Sequence, residues 1–188
     1  MIDRKIELLA PTGDMECLYA AVNNGADAVY LGGSKFSARA YAKNFTLEDI
    51  AEAIDYCHGY GVKVYITINT LIKEKELWEA LDYVKELYKI GVDGVIIQDI
   101  GLGNKLLNSF PGLEVHASTQ MSVHNKSTSL LLRELGIKRI VLARELSLEE
   151  VKEISSVIET EVFIHGALCV CYSGQCLMSS MIGGRSGN

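Results

Sequence analysis

Gly91-Val92-Asp93-Gly94-Val95-Ile96-Ile97 is the stretch on which the fold turns. A glycine closes a helix-like segment and a short apolar, β-branched run follows at once. The same order recurs in Gly25-Ala26-Asp27-Ala28-Val29-Tyr30-Leu31, in Gly61-Val62-Lys63-Val64-Tyr65-Ile66 and in Gly136-Ile137-Lys138-Arg139-Ile140-Val141-Leu142. Glycine takes the left-handed position after a helix without a Cβ penalty. The run after it reads as a strand buried on both faces. Amphipathic helices fill the intervals. Leu47, Ile50, Ala51 and Ile54 follow the i, i+3, i+4, i+7 spacing, as do Leu77, Ala80, Leu81 and Val84. Thr46 stands where a helix cap is needed, and Ser147-x-x-Glu150 is a capping box for a helix carrying Leu148, Val151 and Ile154.

Extended along the chain, the pattern predicts seven strands, near residues 5–10, 27–32, 62–68, 93–98, 113–118, 138–143 and 161–166, with six helices between them. Strict alternation means a parallel sheet with right-handed crossovers. With no sign of a reversal in strand order, an α/β fold of the TIM-like (β/α) barrel type fits better than a doubly wound sheet. A complete barrel takes about 250 residues, and this chain has 188. The expectation is one domain over residues 1–188, an incomplete barrel or the N-terminal part of a longer protein. An unclosed barrel leaves a strand edge that invites pairing, hence a homo-oligomer.

Composition narrows the function classes. Hydrophobic residues make up 48% and charged residues 22%, which suits a packed core rather than disorder. The 2 prolines exclude collagen-like structure. No apolar run approaches the roughly 18 residues of a membrane span, and the start of the chain is not a signal-peptide pattern, so a cytoplasmic protein without a membrane partner is expected. A net charge of −6 rules out a strongly basic nucleic-acid footprint over the whole chain but leaves local patches open. An odd set of 5 cysteines argues against a secreted disulfide framework.

Chemistry in such barrels collects at the C-terminal ends of the strands. The predicted ends carry Thr12 and Asp14, Gly32-Gly33, Asn69, Gln98-Asp99, Ser118-Thr119-Gln120, Arg144-Glu145 and His165. Polar residues at strand ends can simply mark the exit from the core; seven such ends facing one cleft point to a binding site, with Asn69, Gln98 and Gln120 as candidate substrate contacts. The stretch from Gly32 to Phe45 carries Lys35, Arg39 and Lys43 and no acid, with Phe36, Tyr41 and Phe45 interleaved. Cations among aromatics suit phosphates and stacked bases, so Lys35 and Arg39 are candidate phosphate contacts; a solvated loop with its aromatics tucked under the rim is the plainer alternative. Arg144 can pair with a carboxylate or phosphate through its planar fork.

Cys169-Val170-Cys171-Tyr172-Ser173-Gly174-Gln175-Cys176 follows the last predicted strand. Soft thiolates select zinc, copper(I) or iron–sulfur clusters. The C-x-C and C-x4-C spacings match neither a C-x2-C zinc pair nor the bacterial ferredoxin run. Three readings stay open: a metal site, buried thiols acting as small hydrophobes, or one nucleophilic thiol with His165 as its partner. No Ser/His/Asp arrangement, H-E-x-x-H helix or G-x-S-x-G elbow is visible.

The run Glu161-Val162-Phe163-Ile164-His165-Gly166-Ala167-Leu168-Cys169, continued by Ser173-Gly174-Gln175-Cys176, resembles the signature of peptidase family U32, the collagenase-like proteases. Glu7-Leu8-Leu9-Ala10-Pro11-Thr12-Gly13, Ala28-Val29-Tyr30-Leu31-Gly32-Gly33 with Phe36-Ser37-Ala38-Arg39, His116-Ala117-Ser118-Thr119-Gln120-Met121 and Leu142-Ala143-Arg144-Glu145-Leu146-Ser147 extend the resemblance over the chain. It implies a barrel-like N-terminal domain. It also implies one of two activities: peptide cleavage, as the family is named, or oxygen insertion, as in members linked to hydroxylation of a tRNA uridine, a ribosomal RNA base or a ubiquinone precursor. The partner is then an RNA or a peptide substrate. In the hydroxylating members cysteines hold an iron–sulfur cluster. Cys169 and Cys176 match its first two ligand positions, which implies half of a 4Fe-4S site here. Cys171 stands where the family has a small residue, and the remaining two ligands are expected downstream of Gly184-Arg185-Ser186-Gly187-Asn188. His165, Arg144 and Glu145 are the catalytic candidates. A non-catalytic binding barrel is the reading from another class.

Overall fold

In the computed structural model residues 6–38, 44–167, 169–177 and 181 are described. Seven strands, β1 (Leu9–Pro11), β2 (Ala28–Gly32), β3 (Lys63–Ile68), β4 (Gly94–Ile97), β5 (Glu114–Ala117), β6 (Arg139–Val141) and β7 (Glu159–Glu161), alternate with six helices. The helices are α1 (Met15–Asn23), α2 (Leu47–Gly59), α3 (Leu77–Ile90), α4 (Ile100–Ser109), α5 (Lys126–Glu134) and α6 (Leu148–Ser155). The strands pair in sequence order, every pair parallel, so β1 and β7 are the two edges of an open barrel. Helix starts are fixed locally. Thr46 with Asp49 and Ser147 with Glu150 form capping boxes, and Asp14, Asp99 and Asn125 cap α1, α4 and α5 through their side chains.

Side chains alternate across each strand. Val29 and Leu31, Val64, Ile66 and Ile68, Val95 and Ile97, and Ile140 face the helices and form the main core with Leu18, Ile50, Leu87, Leu102, Leu106 and Leu132. The other face lines the barrel. There Ala28, Tyr65, Ile96 and Val141 form a separate small apolar cluster. Gly94 makes room for it: a Cβ on that residue would stand 3.2 Å from the Tyr65 ring and 2.7 Å from the Glu114 carbonyl oxygen.

The barrel interior is not uniformly apolar. His116 registers against Arg139, and Arg139 against Glu159. The Arg139 side chain, only 7% exposed, donates from Nη1 to Glu7 at 2.6 Å and from Nε to Glu159 at 2.7 Å, with Glu161 at 3.8 Å. Glu7 precedes β1 and Glu159 opens β7, so one guanidinium ties together the two edges of the open sheet. His116 Nε2 lies 3.1 Å from Glu114 and Nδ1 is buried without a partner. Burial lowers the His116 pKa, so the ring is neutral and donates from Nε2. That hydrogen bond is the largest of the effects that hold the Glu114 carboxyl down to about 2.

Two boundaries differ from the sequence expectation. The first strand begins at Leu9 rather than near residue 5, and the last spans Glu159–Glu161 rather than 161–166. Val162, Phe163 and Ile164, whose hydrophobicity suggested a strand, are exposed beyond the end of β7. The ion pair to Arg139 places the polar Glu-Thr-Glu run in the sheet, overriding local β propensity.

Candidate functional site

A cavity of about 630 Å³ opens at the C-terminal ends of the strands, within the range of about 300–1,000 Å³ usual for small-molecule sites. Of its lining, Thr12 follows β1, Tyr30 to Gly32 belong to β2, Thr67 lies in β3 and Asn69 just after it, Ser118 to Gln120 follow β5, Arg144 follows β6, Glu161 ends β7 and Phe163 to Ala167 lie beyond it. Glu161 joins this cavity to the ion cluster beneath: it lines the cavity, and its Oε2 is buried with no hydrogen-bond partner. Burial pushes its carboxyl up to about 7 against the opposing pull of Arg139.

Cys169 and Ser173-Gly174 form part of the cavity wall. The Sγ atoms of Cys169, Cys171 and Cys176 lie within 4.8 Å of one another, a group that a metal ion can bridge, and His165 is not among these close ligand atoms. The loop is held from β6's exit. The Arg144 guanidinium donates to the Cys169 carbonyl at 3.1 Å and to the Cys171 carbonyl at 3.0 Å. Glu145 accepts the Ser173 backbone N–H at 2.8 Å and its hydroxyl at 3.3 Å. His124 braces Glu145 from behind, with Nε2 3.2 Å from the carboxylate and Nδ1 2.6 Å from the Ser122 carbonyl. The Ser122 hydroxyl donates to the Ser173 carbonyl at 2.5 Å. Gly174 sits at φ +75, and a Cβ there would meet the Gln120 carbonyl at 2.3 Å. The turn therefore needs glycine for both its conformation and its close approach. The Cys171 thiol is pushed up from its ordinary value, first by its hydrogen bond with Cys176 and then by burial.

The other sequence candidates divide. Asn69 lines the cavity and its Oδ1 accepts the Ala38 N–H at 3.0 Å, which fixes the chain after β2. Gln120 lines it too, with a buried Oε1 lacking a partner. His165 is exposed on its wall and makes no hydrogen bond among the described residues. Gln98 does not line it; its Oε1 is buried without a partner elsewhere. Lys35 is also away from it, paired with Glu79 at 2.7 Å on the surface. Arg39, like Tyr41 and Lys43, lies outside the described residues. Sequence reading missed Glu161 and His124 as parts of the site. The alternation Glu159-Thr160-Glu161 carried the first, because two acids two residues apart share one strand face; nothing local to His124 signals a contact 21 residues away with Glu145.

The chain belongs to peptidase family U32, whose family profile matches residues 13–188. It is 44% identical to the 23S rRNA 5-hydroxycytidine C2501 synthase of Escherichia coli over 98% of this chain and 28% of that protein. It is 40% identical to tRNA hydroxylation protein P1 of Bacillus subtilis over 100% of this chain and 45% of that protein. The chain thus spans less than half the length of these curated relatives. Among solved structures, the U32 peptidase Mk0906 superposes with a TM-score of 0.67 at 18% identity, covering 86% of this chain and 70% of that one, which shows a shared fold. No helix among the described residues is long and apolar enough to cross a membrane.

Proposed function

We propose that this chain is the barrel part of an RNA-hydroxylating enzyme acting on a pyrimidine of ribosomal or transfer RNA. The observation that carries the reading is the convergence of three cysteine sulfurs, that of Cys169 at the wall of the strand-end cavity, in a chain with relatives at 44% and 40% identity that are named for hydroxylation of rRNA and tRNA. The cavity has the volume for one nucleoside. Asn69 and Gln120 offer amide groups to a base edge, and His165 is the wall residue free to move a proton. Lys35, on the surface away from the cavity, and Arg39 are phosphate contacts of an RNA substrate in this reading. Arg144 and Glu145 serve by holding the cysteine loop.

The donor set fits a soft metal group: thiolates, no hard carboxylate ligand among the close atoms, and a loop pinned by a cation. Cys169 and Cys176 would hold an iron–sulfur cluster, which supplies a one-electron carrier beside the cavity. Peptide cleavage is the alternative that the family name carries. Against it, no hydrogen bond joins His165 to Cys169 among the described residues, where a thiol dyad would call for one.

The test is deletion of the gene in its source organism, followed by mass spectrometry of nucleosides from rRNA and tRNA. The reading expects loss of one pyrimidine nucleoside carrying an added oxygen, restored by the wild-type gene but not by Cys169→Ser or Cys176→Ser. Unchanged nucleosides in the deletant would refute it.

A further inference from the structure

We propose that the Glu161 carboxyl is the group that grips the substrate base in the strand-end cavity, by pairing with an N–H and the neighbouring acceptor on the Watson–Crick edge of a pyrimidine. This rests on the reading of the cavity as a base pocket, and goes beyond it in naming the side chain that holds the base and the edge that is held.

Much of the polarity of the cavity wall is already spent. The hydroxyls of Thr12, Thr67 and Thr119 donate to the carbonyls of Tyr30, Leu31 and Leu142 at 3.2, 3.3 and 3.2 Å. Asn69 Oδ1 accepts the Ala38 N–H, and the Arg144 guanidinium is turned to the cysteine loop. Among the described residues two oxygens of the wall are buried without a hydrogen-bond partner, Glu161 Oε2 and Gln120 Oε1. A buried oxygen left unpaired costs about 1–3 kcal/mol, which a ligand bringing a donor recovers.

The clamp beneath the cavity leaves Glu161 over. Arg139 gives Nε and Nη2 to Glu159 and Nη1 to Glu7. Each nitrogen of the guanidinium is thus engaged, and Glu161 Oε2 stands off at 3.8 Å, a contact of charges without a hydrogen bond. Three carboxyls meet one guanidinium, and two of them complete its geometry. The third is level with Val141, its register partner on β6, and both line the cavity.

The surroundings suit a flat ring. Ile96 and Val141, buried members of the small interior cluster, line the cavity together with Tyr30, and the half-exposed Phe163 stands on its wall. Apolar and aromatic surface receives the faces of a base, and a polar group at the side meets its edge. Burial, with Glu7 and Glu159 nearby and Arg139 opposing, holds the Glu161 carboxyl up to about 7. Near neutral pH its acid form is therefore well populated, and that form offers an O–H donor beside an acceptor oxygen. Uracil presents N3–H beside a carbonyl oxygen, and cytosine presents an amino N–H beside N3. A carboxylic acid makes two hydrogen bonds with either.

The test is NMR titration of the whole chain with uridine, cytidine and 3-methyluridine, in which a methyl group replaces the N3 hydrogen. Wild type is expected to bind uridine and cytidine, and to bind 3-methyluridine at least about 10-fold more weakly. Glu161→Leu should bind uridine about 30-fold more weakly, the worth of two hydrogen bonds, and should no longer distinguish uridine from 3-methyluridine. Glu161→Gln carries a donor and an acceptor side by side, and should keep both affinity and discrimination within about threefold. Circular dichroism checks that each variant is folded; should Glu161→Leu not fold, the blocked nucleoside and Glu161→Gln still decide. A wild type that binds the three nucleosides alike, or binds none, overturns the inference, as does a Glu161→Gln that loses the discrimination or a folded Glu161→Leu that retains it. In the gene-deletion assay, restoration of the modified nucleoside by Glu161→Leu would sink this inference alone, whereas unchanged nucleosides in the deletant would sink the RNA reading.

Discussion

Two arginines five residues apart do different work. Arg139 opens β6 and is buried in the barrel, where all its charge is met by Glu7, Glu159 and Glu161. Arg144 lies beyond the same strand's other end, and its guanidinium meets carbonyls of the cysteine loop rather than acids. One closes the ends of the open sheet; the other shapes a site. This divides the barrel as (β/α) folds generally divide, with stability at the strand starts and chemistry at the strand ends.

The contrast can be broken from either side. The largest expected effect is on stability at the lower end. Arg139→Met leaves three partly buried carboxylates without their counter-charge, and a loss of about 3–5 kcal/mol is expected in urea unfolding. Arg144→Ala should cost only about 1.5–3 kcal/mol, the scale of hydrogen bonds to a charged group. Its main effect should be a fall in metal affinity of about 10–100-fold, the scale for a residue that orients ligands. Comparable stability losses in the two variants, with metal binding intact in both, would erase the distinction.

Glu161 sharpens the comparison because it belongs to both regions. Its carboxyl is raised from 4.5 to about 7 in the folded chain, so the folded state holds the proton more tightly than the unfolded one. The associated stability is full below pH 4.5 and is lost as pH rises through about 7. Relative to wild type, Glu161→Gln should therefore gain about 3 kcal/mol between pH 4.5 and pH 8. Unfolding curves at a series of pH values check this, and parallel pH profiles would count against a buried, strained carboxyl. The smallest effect is expected at Lys35, whose pair with Glu79 is half exposed on both sides. Lys35→Ala should change stability by less than about 0.5 kcal/mol, while an effect on RNA affinity would mark a phosphate contact.

The barrel was legible because its signals are local: a glycine after each helix and a β-branched run after each glycine, and caps at Thr46 and Ser147 that the structure reproduces. The polar interior was harder to see. Glu114-Val115-His116 and Glu159-Thr160-Glu161 alternate as strands do, but which face of a parallel strand meets Arg139 depends on pairing registers set by residues far apart. Val162-Phe163-Ile164 misled for the same reason, since their hydrophobicity is local and the ion pair that ends the strand before them is not. At the site, sequence marked Arg144, Glu145 and the cysteines as residues of interest. It could not show that the first two clamp the third, because the contacts join segments 25–28 residues apart. Cys171, read from the sequence as a departure from a two-cysteine pattern, has its sulfur within 4.8 Å of the other two, a proximity the sequence could not show.

X-ray absorption at the metal edge of the anaerobically purified protein tests most directly whether this loop is a metal-gripping element. A first shell of sulfur at about 2.3 Å is expected, diminished in Cys169→Ser and Cys176→Ser and weakened in occupancy by Arg144→Ala. A metal-free protein, or a shell of nitrogen and oxygen alone, would contradict it.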